Sequence, residues 1–227
     1  MGILEVFYQP GKLFSSLENR RAAWVLPLLL GIALSVATSW IAIDKIGMEN
    51  IMRQRLQNSG ATPEQMQQQM QFADSPVALY VTIGAIVVIV PLAALLIAGV
   101  LTIFALMGSK QPKFGTNFSM VTLAYFPFTL ITAIMSILVV MIAPDVATLD
   151  INNLLSTNVG AFMDKDTTPK FLYSFLTSMD LLVFGEVGFL AYGFSKVNRT
   201  TMGFALVAVG LPWLIYVLGK AAVSMFF

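Results

Sequence analysis

The sequence predicts an all-α membrane protein: a bundle of five transmembrane helices with an N-terminal interfacial helix and a helical hairpin outside the membrane. Of its 227 residues, 57% are hydrophobic and 11% are charged, and the mean hydropathy is +0.80. Because soluble domains carry about 25% charged residues, the charges are too few to cover a water-exposed surface of this size. Five apolar stretches reach the length of about 20 residues that a bilayer crossing needs.

The five spans define one domain, residues 22–227, preceded by a short segment, residues 1–21. The spans are predicted at 22–43, 77–107, 118–142, 171–194 and 203–226. The second, third and fifth spans contain Pro91, Pro127 and Pro212. Proline removes a backbone hydrogen bond inside a helix and usually bends it, so we expect three bent helices.

Basic residues concentrate on one side of the predicted bundle. That side carries seven basic and two acidic residues: Lys12, Arg20, Arg21, Lys110, Lys113, Lys196 and Arg199 against Glu5 and Glu18. The other side, formed by segments 44–76 and 143–170, carries five basic and eight acidic residues. Since cytoplasmic loops are enriched in Lys and Arg, the N-terminus is predicted to be cytoplasmic and the C-terminus outside.

Two residue types are absent, and their absence excludes several classes of function. The chain has no cysteine and no histidine, which removes disulfides, thiolate nucleophiles, Ser-His catalysis and the usual zinc and haem sites. The net charge of +1 leaves no basic field that would collect nucleic acid. We therefore predict no enzyme activity, no catalytic, cofactor or metal site, and no nucleic-acid partner.

The segment before the first span is amphipathic. Leu13, Phe14 and Leu17 share one helical face, which is typical of a helix lying on the inner leaflet. A lead-in that packs under the bundle is an equally good interpretation. Both interpretations put the segment at the cytoplasmic surface.

The segment 44–76 is polar and rich in glutamine, and it contains a helix start. Thr62 is the expected N-cap, Pro63 occupies the first helical position, and Gln65 would close a capping box. We therefore expect a helical hairpin here.

Three ionisable side chains fall inside predicted spans, where a charge costs about 2.5–3.5 kcal/mol at the helix centre. Asp180 and Lys220 lie at compatible depths in the fourth and fifth spans, so we predict an intramembrane ion pair between them. Glu186 follows Asp180 by six residues, or about 240° around a continuous helix, which argues against a carboxylate dyad. A proton or cation pathway through the two acids stays open as an alternative.

Small residues recur at four-residue spacing on one face of the first span. Gly31, Ser35 and Ser39 form the small-xxx-small pattern that lets helices approach closely. The pattern predicts a helix-packing face, either within the bundle or in an oligomer of the chain.

The loop before the third span carries a motif. Gly108, Lys110 and Phe114 form a Gly-x-Lys-x-x-x-Phe element, followed by Phe118, Tyr125 and Pro127. With Val6-Phe7-Tyr8-Gln9-Pro10 near the N-terminus, this resembles the bacterial members of the Yip1 family of polytopic membrane proteins. The resemblance implies a bacterial inner-membrane protein that associates with other membrane proteins, and some bacterial relatives accompany ABC-type exporters.

The function predicted first is that of a membrane organiser or accessory subunit, which binds other membrane proteins through this loop and its small-residue helix faces. Lys110 and Lys113 can hold anionic headgroups while Phe114 and Phe118 anchor at the interface. The alternative is a transporter or channel for a small molecule, lipid or ion, using Asp180, Glu186 and Lys220. A water-accessible polar cavity that reaches Asp180 would favour transport, and a dry, filled bundle would favour the organiser.

Overall fold

The computed structural model describes residues 3–20, 22–58, 62–108, 112–146, 149–165 and 167–226. Within these residues the chain forms helices and short turns and contains no β-strand. The helices are α1 (Glu5–Tyr8), α2 (Pro10–Ser15), α3 (Val25–Ile46), α4 (Met48–Asn58), α5 (Pro63–Ala73), α6 (Pro76–Gly108), α7 (Phe114–Ile142), α8 (Lys170–Ser178), α9 (Leu181–Asn198) and α10 (Met202–Val223).

Four of these helices are long and apolar enough to cross a membrane: α3, α6, α7 and α10. They coincide with the first, second, third and fifth predicted spans. The helices α6, α7 and α10 continue through Pro91, Pro127 and Pro212. The fourth predicted span, 171–194, is different, because it is divided between α8 and α9.

The helix α7 lies at the centre of the bundle. It packs along α3, α6 and α9, and α9 in turn packs on α10. The N-terminal half of α7 is almost fully enclosed, with Met120, Val121 and Ala124 at 0% exposure. Every other spanning helix is therefore positioned directly or indirectly by α7.

The N-terminal segment packs against one end of the bundle, which we call the N-terminal end. Leu13, Phe14 and Leu17 are buried in the core of the bundle, which agrees with a lead-in packed under the bundle, since a helix lying on the leaflet would turn this face to lipid. The Phe14 ring contacts α9 at Gly193, where an added Cβ would lie 3.2 Å from the ring. A larger residue here would press on the Phe14 ring, so the glycine favours the close approach of α2 to α9.

A buried polar network joins three helices at the same end. The Asn198 side chain donates a hydrogen bond to Oδ1 of Asn117 at 2.9 Å, and the Asn117 side chain donates to Oγ1 of Thr102 at 3.1 Å. Both asparagines are buried, and buried amides are tolerated when they are hydrogen-bonded. The network therefore fixes α6, α7 and α9 relative to one another.

The opposite end, which we call the hairpin end, contains α4, α5 and residues 143–170. The predicted capping box is confirmed: Thr62 Oγ1 accepts from the Gln65 N–H, and Gln65 Oε1 accepts from the Thr62 N–H. Gln54 of α4 bonds the backbone of Leu149 and Ile151. The two segments predicted to share one side of the membrane are thus in contact.

Candidate functional site

The chain is not helical at Met179 and Asp180, where α8 ends and α9 begins. Asp180 has extended backbone angles, and its Oδ1 accepts hydrogen bonds from the N–H groups of Leu182 at 2.8 Å and Val183 at 3.3 Å. The prediction of a continuous fourth span was wrong for a physical reason. An Asp side chain competes with the helix for backbone donors, so Asp favours an N-cap over a helix interior.

A piece of the 143–170 segment pairs with the chain at the break. The Val159 N–H donates to the Met179 carbonyl at 3.1 Å, and the Leu181 N–H donates to the Thr157 carbonyl at 3.2 Å. This isolated antiparallel bridge joins Asn158 and Asp180. Backbone groups released by a broken helix must be satisfied inside a membrane, and this pairing satisfies two of them.

Side chains reinforce the same pairing. Thr157 Oγ1 donates to Asp180 Oδ2 at 2.6 Å, so both oxygens of the Asp180 carboxylate accept hydrogen bonds. Asn158 donates to Asn153 Oδ1 at 2.6 Å and accepts from the Ala161 N–H. At Gly160 an added Cβ would lie 2.5 Å from Thr177 Cγ2, so a glycine is needed where the segment crosses α8.

The predicted ion pair between Asp180 and Lys220 is wrong. Lys220 Nζ donates instead to Ser178 Oγ at 3.2 Å, and among the described ion pairs none joins Lys220 to Asp180. The helix break explains the difference. Asp180 caps the positive N-terminal end of α9, while Lys220 lies beside the negative C-terminal end of α8, so each charge is matched to a helix dipole.

Asp180, Glu186 and Lys220 nevertheless line one cavity of about 410 Å³, which we call the polar cavity. Hydroxyl and amide groups of Ser136, Thr157 and Asn158 also line it. The argument that Asp180 and Glu186 face different directions was wrong, because it assumed one continuous helix. Asp180 precedes α9 and turns back over its first turn, so both carboxylates reach the same space.

Glu186 differs from the other two charges because its carboxylate has no partner in the part of the chain that the structure describes. No hydrogen bond or ion pair to its carboxylate occurs within the described residues. It also lines a second cavity of about 370 Å³, the middle cavity, together with Thr132 and Ser39. Thr132 and Glu186 therefore form a wall common to the polar and middle cavities.

The small-residue face of α3 lies against these cavities. Ser35 and Ser39 line the middle cavity, and Gly31 and Ser35 line a third one of about 250 Å³, the apolar cavity. The helix α3 packs on α7, yet a Cβ added at Gly31 would meet nothing within 4 Å. The face thus lies inside the bundle but borders open space.

The loop motif is engaged mainly by contacts within the chain. The Phe118 ring is buried. Its centre lies 5.4 Å from the ring centre of Trp24 and 6.2 Å from that of Phe114. Gly108 lets Phe204 approach closely, Pro127 is buried in α7, and Tyr125 lines the apolar cavity. Lys110 lies outside the described residues.

Lys113, the remaining loop residue, forms an ion pair with Glu18 of the N-terminal segment. The hydrogen bond from the Lys113 ammonium, and then its charge, hold the pKa of the Glu18 carboxyl below its usual range. This exposed pair ties the loop before α7 to the N-terminal segment.

One feature of the site was not predicted from the sequence: a row of hydroxyl groups along α7. Thr122, Tyr125, Thr129, Thr132 and Ser136 follow one another at spacings of three and four, which places them on one helical face. Each lines at least one of the three cavities. The spacing was visible in the sequence and could have revealed the row.

No protein-family model, curated protein or solved structure matches the chain.

Proposed function

We propose that the protein is a transporter, an integral membrane protein that admits a small polar solute or ion into the polar cavity at the break between α8 and α9. The observation that carries this proposal is that cavity, which brings Asp180, Glu186 and Lys220 together among hydroxyl and amide groups. Broken helices that meet polar cavities are a recurring design of solute sites in transporters.

The proposed topology has five crossings. Four are the long apolar helices α3, α6, α7 and α10, and the fourth crossing in chain order is the broken pair α8 and α9. The N-terminal end faces the cytoplasm, since it holds the excess of basic residues, and the hairpin end faces outward. On this basis the N-terminal segment lies at the inner surface of a bacterial inner membrane, and the polar cavity belongs to the outward half.

Transport is preferred over the organiser role because of how the motif residues are used. An organiser would present the aromatic groups of the loop to a partner. Phe118 instead packs on Trp24 and Lys113 pairs with Glu18, so that Phe114, 44% exposed, is the aromatic group of the motif left at the surface. Membership of the Yip1 family, other membrane proteins as partners, a homo-oligomer and an exporter as companion all stay predictions. Family membership and the exporter rest on the resemblance alone, whereas the partner proteins and the oligomer rest also on the loop and on the small-residue face of α3.

The proposal is tested by the water accessibility of the polar cavity. The chain has no cysteine, so single-cysteine variants need no prior substitutions. We expect Ser136→Cys and Thr132→Cys to react with the impermeant cation MTSET added outside intact cells. The matched control is Val88→Cys in α6, which is exposed at the surface of the helix bundle and lines none of the three cavities.

Asp74→Cys on the hairpin side is the positive control, because Asp74 is exposed just after α5. If Ser136→Cys and Thr132→Cys are as unreactive as Val88→Cys while Asp74→Cys reacts, the cavity is dry. The transport proposal then fails, and the organiser role becomes the better account. Reaction of Asp74→Cys only from the cytoplasmic side would reverse the proposed orientation.

A further inference from the structure

The three cavities lie in sequence along α7. The polar and middle cavities share Glu186 and Thr132, and the middle and apolar cavities share Ser35 and Thr129. The hydroxyl row from Thr122 to Ser136 runs beside all three. Fourteen residues of α-helix rise about 21 Å, which is roughly two thirds of the hydrocarbon thickness of about 30 Å.

We propose that this row of cavities is a proton pathway, in which the Glu186 carboxylate passes protons between water in the polar cavity and water in the middle cavity. The inference rests on the proposed transport function and names its substrate. In the transfer step a hydronium ion in the polar cavity gives its proton to the Glu186 carboxylate: one O–H bond of hydronium breaks, one O–H bond forms on Glu186, and a water is left behind. The new bond then breaks as a water in the middle cavity takes the proton and becomes hydronium, which restores the carboxylate.

The side chains along the row disfavour a divalent metal cation. Thr122, Thr129 and Ser35 already donate their hydroxyl hydrogens to backbone carbonyls of their own helices. Their oxygen lone pairs therefore remain for water. Hard cations such as Ca²⁺ take six to eight oxygen ligands, commonly with several carboxylates, whereas the walls of the middle cavity offer a single carboxylate.

Glu186 suits the role because the other charged groups around it are committed. Asp180 accepts three hydrogen bonds at the helix break, and Lys220 donates to Ser178. The remaining titratable groups that face it are Tyr216 of α10, which lines the polar cavity, and Tyr125 of α7, which lines the apolar cavity. The facing wall from α3 supplies hydroxyls and no charge.

The N-terminal end of the row borders the N-terminal segment. Pro27, Leu28 and Phe126 form the wall of the apolar cavity there. Phe7 of α1 packs edge-on against Phe126 with the ring centres 6.1 Å apart. The N-terminal segment thus lies against this end of the row.

The test is proton flux into vesicles that contain the purified full-length protein and the pH dye pyranine, driven by a potassium diffusion potential with valinomycin. We expect flux above that of protein-free vesicles, and its loss in Glu186→Gln. Glu64→Gln, the same exchange in α5, should leave the flux unchanged. Thr132→Val should reduce it, and Thr82→Val should not, because Thr82 lies in α6 outside the three cavities.

The outcomes separate this inference from the proposed function. If Ser136→Cys is labelled by MTSET but the wild-type protein gives no proton flux, or if Glu186→Gln conducts like wild type, the proton pathway is refuted and a water-filled cavity remains. Flux of sodium without protons, followed with a sodium dye, would equally refute it. Labelling of Ser136→Cys in the Glu186→Gln background shows that the variant is folded.

Discussion

Replacing Asp180 by alanine is expected to lower the free energy of unfolding by about 2–3 kcal/mol. Alanine removes the cap that accepts from Leu182 and Val183 and leaves the Thr157 hydroxyl without its acceptor. The break between α8 and α9 would lose its side-chain support. Thermal unfolding of the purified protein in a mild detergent measures the change.

Asp180→Asn is the matched control, because asparagine caps helices about as well as aspartate. We expect it to retain most of the stability, since its side-chain oxygen can still accept the N–H groups of α9. A loss as large as that of Asp180→Ala would mean that the negative charge itself is required. That result would indicate an ion pair between Asp180 and Lys220 and would contradict the hydrogen bonds described above.

The second large effect on the free energy of unfolding is expected at Glu186, where a substitution should increase stability. Glu186→Gln should raise the free energy of unfolding by about 1–2 kcal/mol, because an unpartnered charge inside a span destabilises the fold. Substitutions at functional sites often increase stability in this way at the expense of activity. Glutamine has nearly the same shape and no charge. Thermal unfolding at neutral pH measures the gain, and it should accompany the loss of proton flux.

Glu64→Gln provides the comparison, since Glu64 lies in the exposed first turn of α5. Surface substitutions usually change stability by within about 0.5 kcal/mol, and we expect no more here. If Glu186→Gln instead destabilised the protein by more than that, the carboxylate would have a structural partner. Its assignment as the uncommitted charge of the polar cavity would then be wrong.

The long apolar helices could be predicted because their signal is local. A run of about 20 apolar residues identifies a span without knowledge of its neighbours, and α3, α6, α7 and α10 follow the predicted bounds closely. The capping box at Thr62 was equally predictable, since its two hydrogen bonds join residues three apart. Both features depend on composition within one or two helical turns.

The site could not be predicted in the same way, because its decisive contacts are distant in sequence. The pairing of Thr157 and Val159 with Leu181 and Met179 supports the break, and the only local signal for the break is the capping preference of Asp180. The hydropathy pattern does not reveal the hydroxyl row of α7 either, because threonine and serine are nearly neutral on hydropathy scales and do not interrupt an apolar span. The sequence singled out Asp180, Glu186 and Lys220, which line one cavity, but the ion pair predicted between Asp180 and Lys220 was wrong.

Glu186 is the uncommitted carboxylate of the site, whereas Asp180 is structural. Dicyclohexylcarbodiimide tests this assignment directly, because this apolar reagent modifies protonated carboxyl groups inside membranes, and the product can be located by mass spectrometry. We expect modification at Glu186, none at Asp180, and no modification in the Glu186→Gln variant. Modification at Asp180 with Glu186 untouched would show that the two roles are assigned the wrong way round.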